Sequence, residues 1–481
     1  MKVKLLVSLE ATKKLKVADA RNILFNYLFA KHHHGVMFVR SDDLDPPEEE
    51  TVNPFETLQW LGITWEADPE CPEGSCRPIR MSQRLELYRR HARDLMDRGQ
   101  AYPCFCSRDT LREMFKQQRI HGQRPKYDGR CLRLSAAERE KRLADKVPYQ
   151  LRLRTPEVVT EVQDVHSGRM VFDPQEVADL VIMHYHEMPT PALANVVDHH
   201  EMGVTHVLRG ARLRSLTPRE AFLRTAFGFS SPVYCHLSLI LGEDRSLLSE
   251  RHGAQFVEDY REKGFLPEAL LNALANQGME LGPPDQLCTI GTLARNFRIE
   301  KLETNPTVWR LEYLQTLNRV ALDKFKDDAL VPMLAPYVAE AGYDLLGRGE
   351  TWASRFVGAI RPGLKALADV KDFVDVFMAD RITPTDKAQK LLKDPAARKI
   401  VDAMEDALED LSDVTRENYR VLLDAGRKQM TNRGKALVLI RAALTGSDVG
   451  PEFSQLLPLL GKDLIRARLE NARRYIPKGS G

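Results

Sequence analysis

Up to about residue 255, short apolar runs alternate with amphipathic stretches; beyond it, apolar residues recur at helical spacing. The chain opens on MKVKLLVSL, an apolar run with strand character, followed by the polar EATKKLK. VADARNILFNYLFAKHHH then sets Ala20, Ile23, Leu24, Tyr27, Leu28 and Lys31 on a helical period, predicting a helix with Asp19 as its N-cap. VMFVR, SDDLDPPEEE and NPFETLQWLG predict a strand, an acidic turn and a helix, and residues 82–99 a further helix ended by Gly99. Residues 149–173 predict a β-rich insertion turning at His166-Ser-Gly, and residues 179–187 a buried strand. PTPALANVVDHHEMGVTHVLRG predicts a helix carrying Asn195 and Asp198, then a strand ending at Arg209. Residues 232–254 read as a strand, a tight polar turn and a loop ending in Arg251-His-Gly.

A strand that turns into a helix near the start of an α/β protein is a natural phosphate site, because free N–H groups and the helix dipole face the ligand. Lys13, Lys14 and Lys16 suit phosphate there; the turn has no glycine, however, and Asp19 puts a carboxylate at its mouth.

With 481 residues the chain exceeds one core, and about two to four domains are expected. Apolar content of 43% and charged content of 29% suit a soluble protein. No run reaches the length of a membrane span, and the first residues turn acidic too soon for a signal peptide, so a cytoplasmic protein is expected, with no membrane partner. A net charge of +2 makes any basic surface local. Lys462, Arg466, Arg468, Arg473 and Arg474 offer one such face near the end of the chain, although most faces of this kind are merely solvated.

Seven cysteines, an odd number, point to thiols or metal rather than a disulfide framework. Cys104-Phe-Cys106, with Cys131 brought back by a Gly-bearing turn, has the ligand chemistry of a tetrahedral zinc site, the fourth ligand being Tyr127 or His121. Cys71 and Cys76 read as incidental. His184, His186, His199, His200 and His206 share no single face and read as solvated or hydrogen-bonded side chains.

Taken in order, ARNILFNYLFAKHH, RSDDLD, LQWLGITWE, SQRLELYRRHARDLMDRGQAYPCFC, MPTPALANVVDHHEMGVTHVLRG and ALTGSDVGPEFSQLLPLLGK resemble a bacterial-type glutamyl-tRNA synthetase, a class I aminoacyl-tRNA synthetase, from end to end. The resemblance implies an α/β Rossmann-type catalytic domain in two halves (1–102 and 189–254) around an acceptor-binding insertion (103–188). An all-α stem-contact region (255–325) and anticodon-binding domain (326–481) follow. It also implies a structural zinc on Cys104, Cys106, Tyr127 and Cys131, a tRNA partner of the glutamate type, and a monomer.

The signatures depart from the family. Its HIGH-type motif aligns with Lys16-Val17-Ala18-Asp19 and its KMSKR motif with Leu247-Leu248-Ser249-Glu250-Arg251. The family's substrate-pairing arginine falls on Leu6, its nearby serine on Glu10, its pocket tyrosine on Pro191, and an acidic–aromatic pair on Arg212-Leu213. Asp42, Asn195, Arg209 and Ser249 survive as pocket or signature remnants. Lys16, Asp19, Leu247 and Glu250 are expected to line one cleft, with Glu250 pairing with Lys13, Lys14 or Lys16. ATP with Mg²⁺ should bind weakly there and glutamate activation should be lost or strongly impaired, since a lysine that stabilises pyrophosphate has become a carboxylate. The alternatives are an enzyme of different substrate, an active glutamate–tRNA ligase, and a protein scaffold without RNA.

Overall fold

The structure, a computed structural model, describes residues 2–10, 13–44, 52–66, 78–252 and 255–477, the side chain of Glu250 excepted. Cys71, Cys76 and the acidic stretch 45–51 lie outside the described residues. Two compact units emerge, Met1–Tyr260 with Pro267–Leu317, and Arg261–Leu266 with Asn318–Gly481.

In chain order the first unit runs β1 (Lys4–Glu10), α1 (Val17–His32), β2 (Val36–Asp42), α2 (Pro54–Trp60), β3 (Ile79–Arg80), α3 (Leu85–Asp97), β4 (Ala101–Cys104), α4 (Arg108–Ile120) and α5 (Ala136–Ala144). It continues with β5 (Gln150–Leu153), β6 (Thr160–Asp164), β7 (Gly168–Phe172), β8 (Val181–His184), β9 (Met188–Pro189), α6 (Pro191–Glu201), β10 (His206–Gly210), α7 (Thr217–Phe227), β11 (Val233–Leu237) and β12 (Ile240–Leu241).

Strands β1, β2 and β3 are parallel neighbours, with Lys4 opposite Val36 and Glu10 opposite Asp42. Their apolar residues, Leu5 to Val7 and Met37 to Val39, are continuous rather than alternating, as strands covered on both faces require. A second sheet has the order β10-β11-β6-β7. The Thr205 N–H donates to the Lys4 carbonyl at 2.9 Å and the Lys4 N–H to the Thr205 hydroxyl at 3.0 Å, which stitches the two sheets along β1 and β10. The β6–β7 hairpin, expected as part of the insertion, attaches to the sheet of β10 and β11 instead, Asp164 pairing with Tyr234 of β11. The insertion keeps its own antiparallel sheet, β4-β5-β8-β9.

Helix α1 starts three residues earlier than its pattern suggests. Lys16 is the capping residue and Asp19 falls in the first turn. The reason is backbone pairing: the Val17 N–H donates to the Gln255 carbonyl at 3.0 Å, and the Val257 N–H to the Leu15 carbonyl at 2.8 Å. A neighbouring segment thus satisfies a helix N–H that a side chain would otherwise cap. At the other end Gly35 lets the chain enter β2, since a Cβ there would sit 2.4 Å from the Val3 carbonyl oxygen.

The second unit is all-α, with helices Asp327–Glu340, Glu350–Ile360, Lys371–Met378, Asp386–Leu392, Pro395–Glu409, Tyr419–Arg427, Arg433–Thr445 and Phe453–Arg473. The basic residues of the last helix are largely engaged within the fold rather than forming an open face. Arg468 is buried and donates to the Leu444 and Val376 carbonyls at 3.3 and 3.2 Å. Lys462 reaches the Glu409 carbonyl, Arg466 the Glu409 carboxylate at 3.0 Å, and Arg473 the Asp402 carboxylate at 2.6 Å; Arg474 is exposed. Among the described residues no helix is long and apolar enough to cross a membrane.

Candidate active site

The ends of β1, β2 and β10 and the first turn of α1 enclose a cleft of about 290 Å³, where an open parallel sheet keeps its ligands. Leu6 and Glu10 come from β1, Lys13 and Lys14 from the turn after it, and Lys16 and Asp19 from the start of α1. Asp42, Asn195, Arg209 and Leu213 complete the part that bears on chemistry. Five of the expected residues, Lys16, Asp19, Asp42, Asn195 and Arg209, therefore share one cleft. Leu247 is not among its lining residues and is half exposed.

The cleft holds charges of both signs. Lys13 pairs with Glu10 at 2.5 Å and Lys14 with Asp259 at 3.0 Å. Asp19 stands in the first turn of α1, where the helix dipole favours an anion. Withdrawal from bulk water raises its carboxyl above the ordinary aspartate value, against Lys16 and Arg212, although its surface opens to the cleft.

Behind the cleft lies a buried polar network. Arg40 of β2 donates from Nε to Asp42 at 2.7 Å, from Nη1 to Asp198 at 2.7 Å and from Nη2 to the Asn195 side-chain oxygen at 2.9 Å. Asp198 also accepts from Arg84 Nε and the Tyr88 hydroxyl, both at 2.8 Å. Burial alone would depress the Arg40 guanidinium; Asp42 and Asp198 more than reverse this, keeping it charged. Asn195 passes the network on, donating to Glu220 at 3.0 Å. Arg209 donates to Glu220 at 2.9 Å and to the Thr217 hydroxyl at 2.8 Å. The Thr217 hydroxyl meets His236 Nε2 at 3.0 Å, and His236 Nδ1 meets Asp164 at 2.7 Å.

In the insertion, Cys104, Cys106 and Cys131 are buried with their sulfurs all within 4.8 Å of one another. The Tyr127 hydroxyl lies 3.5 Å from Cys104 Sγ and 4.0 Å from Cys106 Sγ, and accepts the Cys131 N–H at 3.0 Å. Arg152 sits 3.9 Å above the Tyr127 ring, and the Tyr185 hydroxyl donates to the Cys106 carbonyl at 2.9 Å. A hydrogen bond from Cys131 outweighs burial and draws the Cys104 thiol below its ordinary range. His121 is elsewhere, exposed with Nδ1 against the Gln117 carbonyl at 2.7 Å.

A family model for tRNA synthetases class I (E and Q), catalytic domain, matches residues 4–316, and one for an anticodon binding domain matches residues 329–473. The glutamate–tRNA ligase of Desulforamulus reducens is 34% identical over 472 residues, covering 96% of this chain and 97% of its own length. That of Carboxydothermus hydrogenoformans is 35% identical over 468 residues, with coverage of 96% and 97%. The chain belongs to the glutamate–tRNA ligase family. In fold it is similar to the crystal structure of a glutamate tRNA ligase from Elizabethkingia meningosepticum in complex with its amino acid, with a TM-score of 0.82, 24% identity, and coverage of 98% of this chain and 99% of the other.

The stretch aligned with the family's second signature is closed on itself. His252 Nε2 meets Asp244 at 2.9 Å, and its Nδ1 accepts the Ser249 N–H at 3.1 Å. Arg251 lies 3.6 Å from Asp244, and neither Ser249 nor Arg251 lines the cleft. The Glu250 side chain, and with it the expected pairing to Lys13, Lys14 or Lys16, lies outside the described residues. Of the other histidines, His199 is buried with Nδ1 2.8 Å from Arg224, and burial first, then Arg224, keeps it neutral. His200 stacks on Phe229 at 3.6 Å.

Arg40, Arg84, Glu220, Asp164 and His236 escaped the sequence reading. The signal available was Arg40 inside a buried run two residues before Asp42, with Asp198 three residues after Asn195 on one helix.

The Asp164–His236 pair makes stability depend on pH. Burial would raise the Asp164 carboxyl, but His236 and the Ser167 and His166 N–H groups hold it well below the usual carboxylate range. Its contribution is complete above the ordinary aspartate value of 3.8 and disappears as pH falls toward the depressed folded value. Asp164→Asn should therefore lower the urea midpoint near about pH 7, the gap to wild type narrowing below about pH 4. Denaturation curves across that range decide it, and a gap independent of pH would refute the linkage.

Proposed function

We propose that this chain is a tRNA-binding member of the glutamate–tRNA ligase family whose ATP-dependent glutamate activation is lost or strongly impaired. The observation that carries this is the cleft itself: Glu10 and Asp19 put two carboxylates beside the N-terminus of α1, at a place that must accept a triphosphate. Adenylate formation owes its rate to positioning and to neutralising phosphate charge. Leu6, Lys16, Asp19, Leu247 and Glu250 replace family groups of that kind together. Lys16 is the single replacement able to donate toward phosphate.

The reading assigns residues 103–188 to the acceptor end of tRNA, 255–325 to the stem and 326–481 to the anticodon loop, with tRNA of the glutamate type and a cytoplasmic monomer. Cys104, Cys106, Cys131 and Tyr127 would hold zinc, which supplies a cross-link between the end of β4 and the turn at residues 127–131. Three soft thiols converging with a phenol suit that metal by donor chemistry.

Three measurements test these assignments. Pyrophosphate exchange with ATP and glutamate should run at least about 10⁴-fold below an active ligase, since the missing contacts act together. Exchange at ordinary ligase rates would instead establish an active glutamate–tRNA ligase. Binding of tRNA(Glu) should weaken steeply as salt rises, because lysines and arginines on phosphate release counterions. Affinity flat in salt, or no binding at low salt, removes RNA as the partner. Protein purified without chelator should contain one zinc per chain, and Cys131→Ala should lose it and become protease-sensitive within residues 103–131 while the second unit stays folded. Metal-free wild-type protein would rule the site out.

A further inference from the structure

Arg209 lines the cleft, yet its charge is already answered from within. Glu220 has no exposed surface and accepts from Arg209 at 2.9 Å, from Asn195 at 3.0 Å and from the Tyr234 hydroxyl at 3.1 Å. Arg209 also gives Nη2 to Thr217 at 2.8 Å and turns Nε toward His236 Nε2 at 3.4 Å. Three of the five N–H groups of this guanidinium are thereby engaged inside the protein. The two guanidiniums behind Asn195 are answered in the same way. Arg40 and Arg84 stand against Asp42 and Asp198, while the buried Arg224 turns to the Ser230 carbonyl and His199 rather than to the wall that carries Arg209. Leu6, Val207 and Leu208 supply apolar wall.

A carboxylate placed against Arg209 meets a guanidinium already neutralised by Glu220 and would leave water there without a free countercharge. An amide of the same shape adds no charge and brings its own donors and acceptors. We propose that Glu220 sets the specificity of the cleft: by neutralising Arg209 it makes the cleft select an amino acid with an uncharged side chain, an amide over the isosteric carboxylate. This rests on the reading that glutamate activation is lost, and gives that loss a direction. Glu220 is a positioning residue, acting through Arg209.

Calorimetric titration of the full-length protein with L-glutamine and L-glutamate tests it. Wild type should favour glutamine by about tenfold or more. Glu220→Gln keeps the volume and the hydrogen-bonding reach while removing the countercharge, so glutamate should gain about tenfold or more and glutamine should not. A residue that only supports the fold would move both amino acids alike, and Glu220→Asp, which keeps the charge, should keep the wild-type ranking. Should Glu220→Gln fail to fold, Leu6→Arg adds a guanidinium to the same wall and should raise glutamate over glutamine in its place. Glutamate binding that appears only in the variant supports the proposal. Wild type binding glutamate as well as glutamine, an unchanged ratio in the variant, or no binding of either amino acid by either protein overturns it. Pyrophosphate exchange by wild type is a separate readout: exchange with glutamate defeats the loss of activation, whereas an inactive wild type with an immovable ratio defeats the role of Glu220 alone.

Discussion

Asp198 has no exposed surface, and its two carboxylate oxygens take donors from Arg40 on β2, from Arg84 just ahead of α3 and from Tyr88 on α3 itself. That single side chain ties α6 to a catalytic strand and to the helix that leads into the insertion. Breaking a buried pair of this kind typically costs about 3–5 kcal/mol, because it strands charge where water cannot reach it. Arg40, held from one side by Asp198, is held from the other by Asp42 and Asn195, both of which line the cleft. The position of the cleft wall is therefore a consequence of a contact the ligand never sees.

This division lets the scaffold stand independently of the charges at the mouth of its cleft. The charges that fix the sheet and helices, Arg40, Asp198, Arg209 and Glu220, are buried and paired, Arg40 with Asp198 and Arg209 with Glu220. Those at the mouth of the cleft, Glu10, Lys13, Lys16 and Asp19, sit at the end of a strand and the start of a helix, where a substitution alters the field without disturbing the core. A shared fold, with a TM-score of 0.82, is thus compatible with different charges at the mouth of the cleft.

The alternation of buried strands and amphipathic helices up to residue 255, and the helices after it, were legible because period and burial coincide along each element. The three cysteines and Tyr127 were legible because their donor chemistry is rare. What escaped was set by distant partners. The start of α1 is decided by Gln255, the β6–β7 hairpin joins a sheet through Tyr234, and Arg468 turns inward to carbonyls of other helices. Each depends on a residue far along the chain, which local periodicity does not encode. Glu220 escaped for the same reason, since its role lies in the three side chains around it.

The Leu15 N–H is held by both oxygens of Glu258, at 3.2 and 3.0 Å, across 243 residues of sequence, and Thr57 donates to the same carboxylate at 2.6 Å. On the ribosome, at roughly 5–20 residues per second, about 12–50 s separate the emergence of these partners. Until Glu258 arrives, β1 and α1 lack the segment that closes their junction, whereas the Lys4–Thr205 stitch spans 201 residues and can form earlier. Strand β1 and helix α1 are made long before the segment that locks them, so the nascent chain presents an unfinished edge to the cleft until Glu258 has followed.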